Sequence, residues 1–204
     1  MRMRGRSTML ALALCAAATA TSAHQPSQRT AAELMDAVMW NRETIGGPFT
    51  LVDHHGKRRV DADFRGKLML VYFGFTACAD VCPTDLHQIA TAIEQLGAAG
   101  DAVQPIFITL DPARDTPRRL ANYVTQFHPR LVGLSGTSHA IDQAASAYRV
   151  YYRKAATARG ADYTIDHSGF IYLMDREGRY LGFFPPGTPA QRIIEVVRPY
   201  VTSQ

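Results

Sequence analysis

No internal repeat and no low-complexity run breaks this sequence, so its 204 residues and 47% apolar content describe one domain with one sizeable core, plus a tail. Nor does the apolar stretch near the N-terminus reach the ~20 residues that a membrane-crossing helix requires. That run, Thr8 to Ala23, has 16 residues. Arg2, Arg4 and Arg6 precede it and small residues end it, the pattern of a cleavable export signal. Cleavage is expected after Ala20 or Ala23, which makes residues 1–23 a signal peptide, with a short membrane anchor as the alternative.

Clustered positive charge is missing as well. Without residues 1–23, Lys+Arg falls from 22 to 19 against 18 Asp+Glu, a net charge of +1. The runs that remain, "GKRR" and "PRR", read as solvated faces. Phosphate recognition depends on clustered Lys and Arg, so no nucleic-acid partner is expected. Cysteine is scarce too, with three in the chain. Cys15 lies inside the leader and follows Leu14, where a lipidation site wants a small residue.

Residues 24–44 read as a lead-in: a polar start, a short helix around the sole tryptophan, Trp40, and a break at "IGG". From residue 45 to 204 the pattern is that of one α/β domain. "FTLVDHHGKRRV" alternates around a turn at His55-Gly56, as a hairpin does. "KLMLVYFGF" is a continuous apolar run, which predicts a buried central strand. "TDLHQIATAIEQL" then carries Leu86, Ile89, Ile93 and Leu96 at helical spacing, with Pro83 placed to start the helix. "VQPIFITLD" predicts a second buried strand, and Thr116 with Pro117 predicts the cap and first position of a second helix. A short strand, "LVGLSG", precedes a helix capped by Ser138. "YYRKAATARGADYTID" reads as an exposed excursion, a hairpin or loop placed before the strand that brings in His167. "SGFIYLMDREGRYLGFF" predicts a hairpin, and Thr188 and Pro189 are expected to open the last helix. This order, βαβ followed by ββα, is that of a thioredoxin-like fold: a central mixed sheet flanked by helices.

Cys78 and Cys82, in "GFTACADVCPTDL", fall at the first strand-to-helix turn. Three uses are open to them. A structural disulfide is the default for an exported protein, but a bridge across so short a loop removes little chain entropy. A redox couple suits a helix N-terminus, where partial positive charge favours thiolate. A metal clamp suits the three-residue spacing, which sets the sulfurs one helical turn apart on one face, whereas redox enzymes of this fold typically use two. A peroxidase reading is weak, because Thr76 stands only two residues before Cys78.

Among the seven histidines, His54, His55, His87, His128 and His139 fall at turns, helix ends or polar faces and read as surface residues. His167, in "TIDHSGF", falls where thioredoxin-like folds carry the loop facing the cysteine pair. With Cys78 and Cys82 it makes a site of two sulfurs and one nitrogen. That set suits Cu(I), which accepts soft ligands and low coordination, while zinc would need a fourth ligand.

Four segments in order, "IGGPFTLVD", "DFRGKLMLVYFGFTACADVCPTDL", "ITLDPARDTP" and "IDHSGFIYLMDREG", resemble the Sco (SenC) proteins over Ile45 to Val201. The resemblance implies a thioredoxin fold in which Cys78, Cys82 and His167 bind copper, as Cu(I) and also as Cu(II). It implies delivery to the binuclear copper site of cytochrome c oxidase subunit II, or another periplasmic acceptor, by a protein working alongside other copper chaperones or thiol reductants. It also implies that some members reduce the acceptor's cysteines, which would make Cys78 and Cys82 catalytic. The chain is expected to be a monomer in the periplasm, free or anchored to the inner membrane. Asp80 and Asp166 could tune such a site or be solvated loop residues, while Asp111 and Asp115 are expected to order a turn and a helix start. If cleavage follows Ala23, His24 and the free amine form a second candidate Cu(II) chelate.

Overall fold

The structure, a computed structural model, describes residues 45–157 and 163–202. The leader, the lead-in with Trp40, the candidate His24 chelate and the middle of the excursion lie outside the described residues. No helix among those described is long and apolar enough to cross a membrane.

The chain begins with a hairpin of β1 (Thr50–Asp53) and β2 (Arg58–Val60) and then enters β3 (Leu68–Gly74). Next come α1 (Val81–Gln95), β4 (Val103–Thr109), α2 (Pro117–Val124), β5 (Val132–Ser135) and α3 (Ser138–Ala147). β6 (Tyr152–Ala156) and β7 (Tyr163–His167) precede the hairpin of β8 (Ile171–Met174) and β9 (Tyr180–Phe184), and α4 (Ala190–Thr202) closes the fold. Seven strands form one sheet in the order β2-β1-β5-β4-β3-β8-β9, while β6 and β7 pair only with each other. β3 runs parallel to β4, and β4 parallel to β5; the other pairings are antiparallel. The sheet is therefore mixed, and with its flanking helices the architecture is thioredoxin-like.

The apolar run makes β3 the centre. All seven of its residues are buried, which an amphipathic strand could not achieve, so both faces of the sheet are covered. Phe73 turns towards the Tyr148 and Tyr172 rings. Tyr72 turns the other way, towards Phe107 and the His167 ring. α1 lies on this second face and packs on α4, burying Leu86, Ile89 and Ile93 from its apolar stripe.

Helix starts depart from expectation in three places. α1 begins at Val81, two residues before Pro83, so Cys82 belongs to its first turn and Cys78 to the loop before it. Thr137, not Ser138, caps α3, because its extended backbone lets the hydroxyl accept from Ala140 N–H at 3.1 Å. Thr188 does not cap α4: its hydroxyl donates to the Pro185 carbonyl, and Gln88 of α1 accepts from Ala190 N–H at 2.8 Å. The cap of α2 is as expected, with Thr116 accepting from Arg119 N–H and Pro117 in the first turn.

Candidate metal centre

β3 delivers the cysteine loop. Leu110 N–H binds the Gly74 carbonyl at 2.7 Å, tying the end of β3 to the end of β4, and Cys78 N–H binds the Phe75 carbonyl at 3.1 Å. The chain then turns so that Cys82 N–H, a free donor at the helix start, points at Cys78 Sγ from 3.4 Å. Cys82 is fully buried and Cys78 partly exposed; both are free thiols.

His167 comes from the other side. It is the last residue of β7, so the histidine sits on the excursion's own returning strand and not, as expected, on the strand that follows. Its Nε2 lies 3.5 Å from Cys82 Sγ. Its Nδ1–H donates to the Ser168 carbonyl at 3.3 Å, which turns Nε2 towards the sulfurs. The edges of two rings fix its plane: Tyr72 at 6.4 Å and Phe75 at 6.0 Å, each close to perpendicular.

The ligand atoms of Cys78, Cys82 and His167 all lie within 4.8 Å of one another. Bonds of about 2.0–2.3 Å to nitrogen and sulfur would hold three donors around a trigonal ion about 3.7 Å apart, so the cluster fits one small soft cation with little movement. Among the described residues it is the only such group.

The sulfurs are electrostatically unequal. Cys78 is pushed down to about 4, first by the hydrogen bond that the Cys82 thiol donates to it, then by His167 and the backbone N–H groups of Cys82 and Asp80. Cys82 is pushed up, because that hydrogen bond needs its proton and burial disfavours its charge. At neutral pH the pair is thus a thiolate at Cys78 and a thiol at Cys82. Iodoacetamide should alkylate Cys78 at nearly the same rate at about pH 6 and about pH 8, where an ordinary thiol of pKa about 8.5 gains almost tenfold per unit. A titration midpoint near the ordinary value would overturn that assignment. Because folding depresses this pKa, the shift stabilises the reduced fold fully above about pH 8.5. That contribution declines as pH falls towards the folded value.

Behind Cys82 the structure holds two groups that sequence reasoning missed. Asp85 is fully buried on the apolar side of α1 and accepts from Gly187 N–H at 2.7 Å. Burial pushes its carboxyl up. The hydroxyl of Tyr72 faces Cys82 and Asp85, and burial pushes its pKa up also. Neither that hydroxyl nor Asp85 Oδ2 has a well-formed hydrogen bond among the described residues. The available signal was an acid three residues after Cys82, in line with Leu86 and Ile89.

The other candidates fall outside the cluster. Asp80 is exposed at the start of α1 with no side-chain cap bond, and Asp166 pairs with Arg153 across the β6–β7 hairpin at 3.0 Å. Two histidines expected at the surface are structural: His54 accepts from Gly133 N–H, and buried His128 accepts from Arg130 N–H, both at Nδ1 and 3.1 Å. Burial holds both below the usual imidazole range, as such acceptors require.

The family model SCO1/SenC matches residues 38–202. Protein sco1 of Schizosaccharomyces pombe is 42% identical over 166 residues, covering 80% of this chain and 63% of that protein. The mitochondrial SCO1 homolog of Homo sapiens is 41% identical over 162 residues, covering 76% of this chain and 54% of that protein. This chain therefore spans about six-tenths of such relatives. The structure of Bradyrhizobium japonicum ScoI with copper bound superposes with a TM-score of 0.71 at 43% identity, covering 76% of this chain and 99% of that one. Yeast Sco1 with copper bound gives 0.72 at 36% identity, covering 79% and 91%.

Proposed function

Because the chain belongs to the SCO1/SenC family, we propose that it is a copper metallochaperone, in which Cys78, Cys82 and His167 hold one copper ion and pass it to the binuclear copper site of cytochrome c oxidase subunit II. The observation that supports this most is the convergence of two sulfurs and one imidazole nitrogen within 4.8 Å. Thiolate and imidazole favour copper over hard cations, and three donors leave a position at which an acceptor's ligand can enter during handover. Cys78 offers a thiolate ready to bind, whereas Cys82 must release its proton, so copper uptake acidifies the medium. The proposed site of action is the periplasm, reached through the export signal over residues 1–23 or from a membrane anchor there.

Protein recovered from its own periplasm should carry one copper ion per chain, and the Cys78→Ser, Cys82→Ser double variant none. Recovery from the cytoplasm, or a preparation that holds zinc alone, would count against the reading.

A second activity follows from the unequal thiols. The Cys78 thiolate can attack a partner's disulfide, forming a mixed disulfide and releasing one partner thiolate; Cys82 then gives up its proton and attacks Cys78 Sγ, releasing the second. The two electrons come from the Cys78–Cys82 dithiol, which ends as a disulfide. This would reduce an acceptor's cysteines before copper is passed.

A further inference from the structure

The turn "DPARD", residues 111–115, leaves β4 beside the cluster yet contributes no ligand atom to it. Its two carboxylates, Asp111 and Asp115, are almost wholly buried. Buried carboxylates are costly unless their oxygens are satisfied, so the partners that each has gathered report what each holds.

Asp115 holds the cysteine loop. One of its oxygens accepts from the Thr76 hydroxyl at 2.6 Å, and the other from Thr76 N–H at 2.9 Å and the Thr109 hydroxyl at 2.6 Å. Arg119 adds a donor to the Thr76 hydroxyl at 2.6 Å. Thr76 stands two residues before Cys78, so the loop leaves β3 with its first turn pinned.

Asp111 reaches the opposite way. It accepts from the Tyr163 hydroxyl at 2.7 Å and pairs with Arg114. Arg114 in turn donates to the Tyr163 carbonyl at 2.9 Å and lays its guanidinium 3.9 Å from the centre of the Tyr163 ring. Tyr163 is the first residue of β7, and His167 is its last. This matters because the β6–β7 hairpin pairs with no strand of the main sheet and needs another attachment. The turn is itself closed, with Asp115 N–H and Arg114 N–H both donating to the Asp111 carbonyl at 2.9 and 3.1 Å.

We propose that the Asp111–Asp115 turn gauges the separation of thiolates and imidazole: Asp115 holds the cysteine loop, and Asp111 with Arg114 latches the histidine hairpin through Tyr163. Arg114 and Tyr163 are then positioning residues of the copper site, a role that rests on the chaperone reading above. The latch acts at one end of β7 on a ligand at the other, so loosening it lets His167 swing while the thiols keep their places.

The test compares Tyr163→Phe, Arg114→Gln and the double variant with the parent chain. In metal-free protein, the double variant should exchange the backbone amides of β6 and β7 about 10-fold faster, with β3 and β4 unchanged. Its Cu(II) affinity should fall at least about 10-fold, as for other groups that orient a ligand, and nitrogen coupling in its Cu(II) spectrum should weaken. Arg114→Lys should not rescue it, because an ammonium cannot stack and bridge as the guanidinium does. If the double variant does not fold, Tyr163→Phe alone carries the same readouts at smaller size. Unchanged hairpin exchange would overturn the latch, and so would faster exchange with normal copper binding if His167→Ala weakens that binding. Faster exchange with copper binding insensitive to His167→Ala would uphold the latch and overturn the role of His167 in the chaperone reading.

Discussion

His167→Ala is expected to lower Cu(II) affinity by more than about 100-fold, beyond the loss seen when only a supporting group is removed, and to slow handover to an acceptor. The imidazole is the sole nitrogen donor of the cluster, and its Nε2 is aimed by the Nδ1–H bond to Ser168 and by the Tyr72 and Phe75 rings. Cu(I) affinity should fall less, because Cu(I) accepts two thiolates alone, while Cu(II) depends more on nitrogen donors. The variant should keep its fold, since His167 is only part-buried on a hairpin outside the main sheet. Competition titrations in each oxidation state, beside Cys78→Ser, measure both effects. Equal affinity in the variant and the parent chain, with disulfide exchange still dependent on the cysteines, would make the protein a reductase first.

The second large effect is expected at a residue with no side chain. Gly74 ends β3, and a Cβ there would lie 2.9 Å from Cys82 Sγ and 3.1 Å from ring atoms of Phe107 and Tyr72. The backbone cannot retreat, because Gly74 is registered against Thr109 and bonded to Leu110. Gly74→Ala should therefore displace the Cys82 sulfur, destabilise the protein by about 1–3 kcal/mol through overpacking and weaken copper binding by about 10-fold or more. Gly182→Ala on β9 is the control, since a Cβ there meets nothing within 4 Å. Denaturant melts and copper titrations of both variants decide the matter. Parent-like copper affinity in Gly74→Ala would show that close packing does not fix Cys82.

Much of this was readable from the chain because local chemistry and tertiary structure agree. The apolar run of Leu68–Gly74 could only be a strand covered on both faces, and Thr116-Pro117 could only open a helix. Where two local solutions were available, the backbone chose between them: Thr137 and Ser138 are adjacent hydroxyls, and only the extended residue can cap. Where a distant residue supplied the partner, sequence gave no hint. Gln88 replaces Thr188 as the cap of α4, and Gly133 explains His54. The three candidate ligands were readable from residue type and position. The grip on them was not, because Asp111 and Asp115 look like ordinary turn formers until Tyr163 and Thr76 are seen beside them.

Cys82 and His167 lie 85 residues apart in the chain, with α1, β4, α2, β5, α3 and β6 between them. An unfolded chain can offer the two sulfurs together, since they are close in sequence, but meets the imidazole only through the finished sheet and hairpin. Contacts of such separation form late, after the cost of closing long loops has been met. The third donor's share of the binding free energy is therefore folding free energy. Copper should raise the melting temperature by a roughly constant step for each tenfold rise in its free concentration above Kd, and nascent or damaged molecules should hold it only as a weak two-sulfur half-site. Under the chaperone proposal, cargo loading would double as quality control: a chain that has not folded could not carry copper tightly to an acceptor.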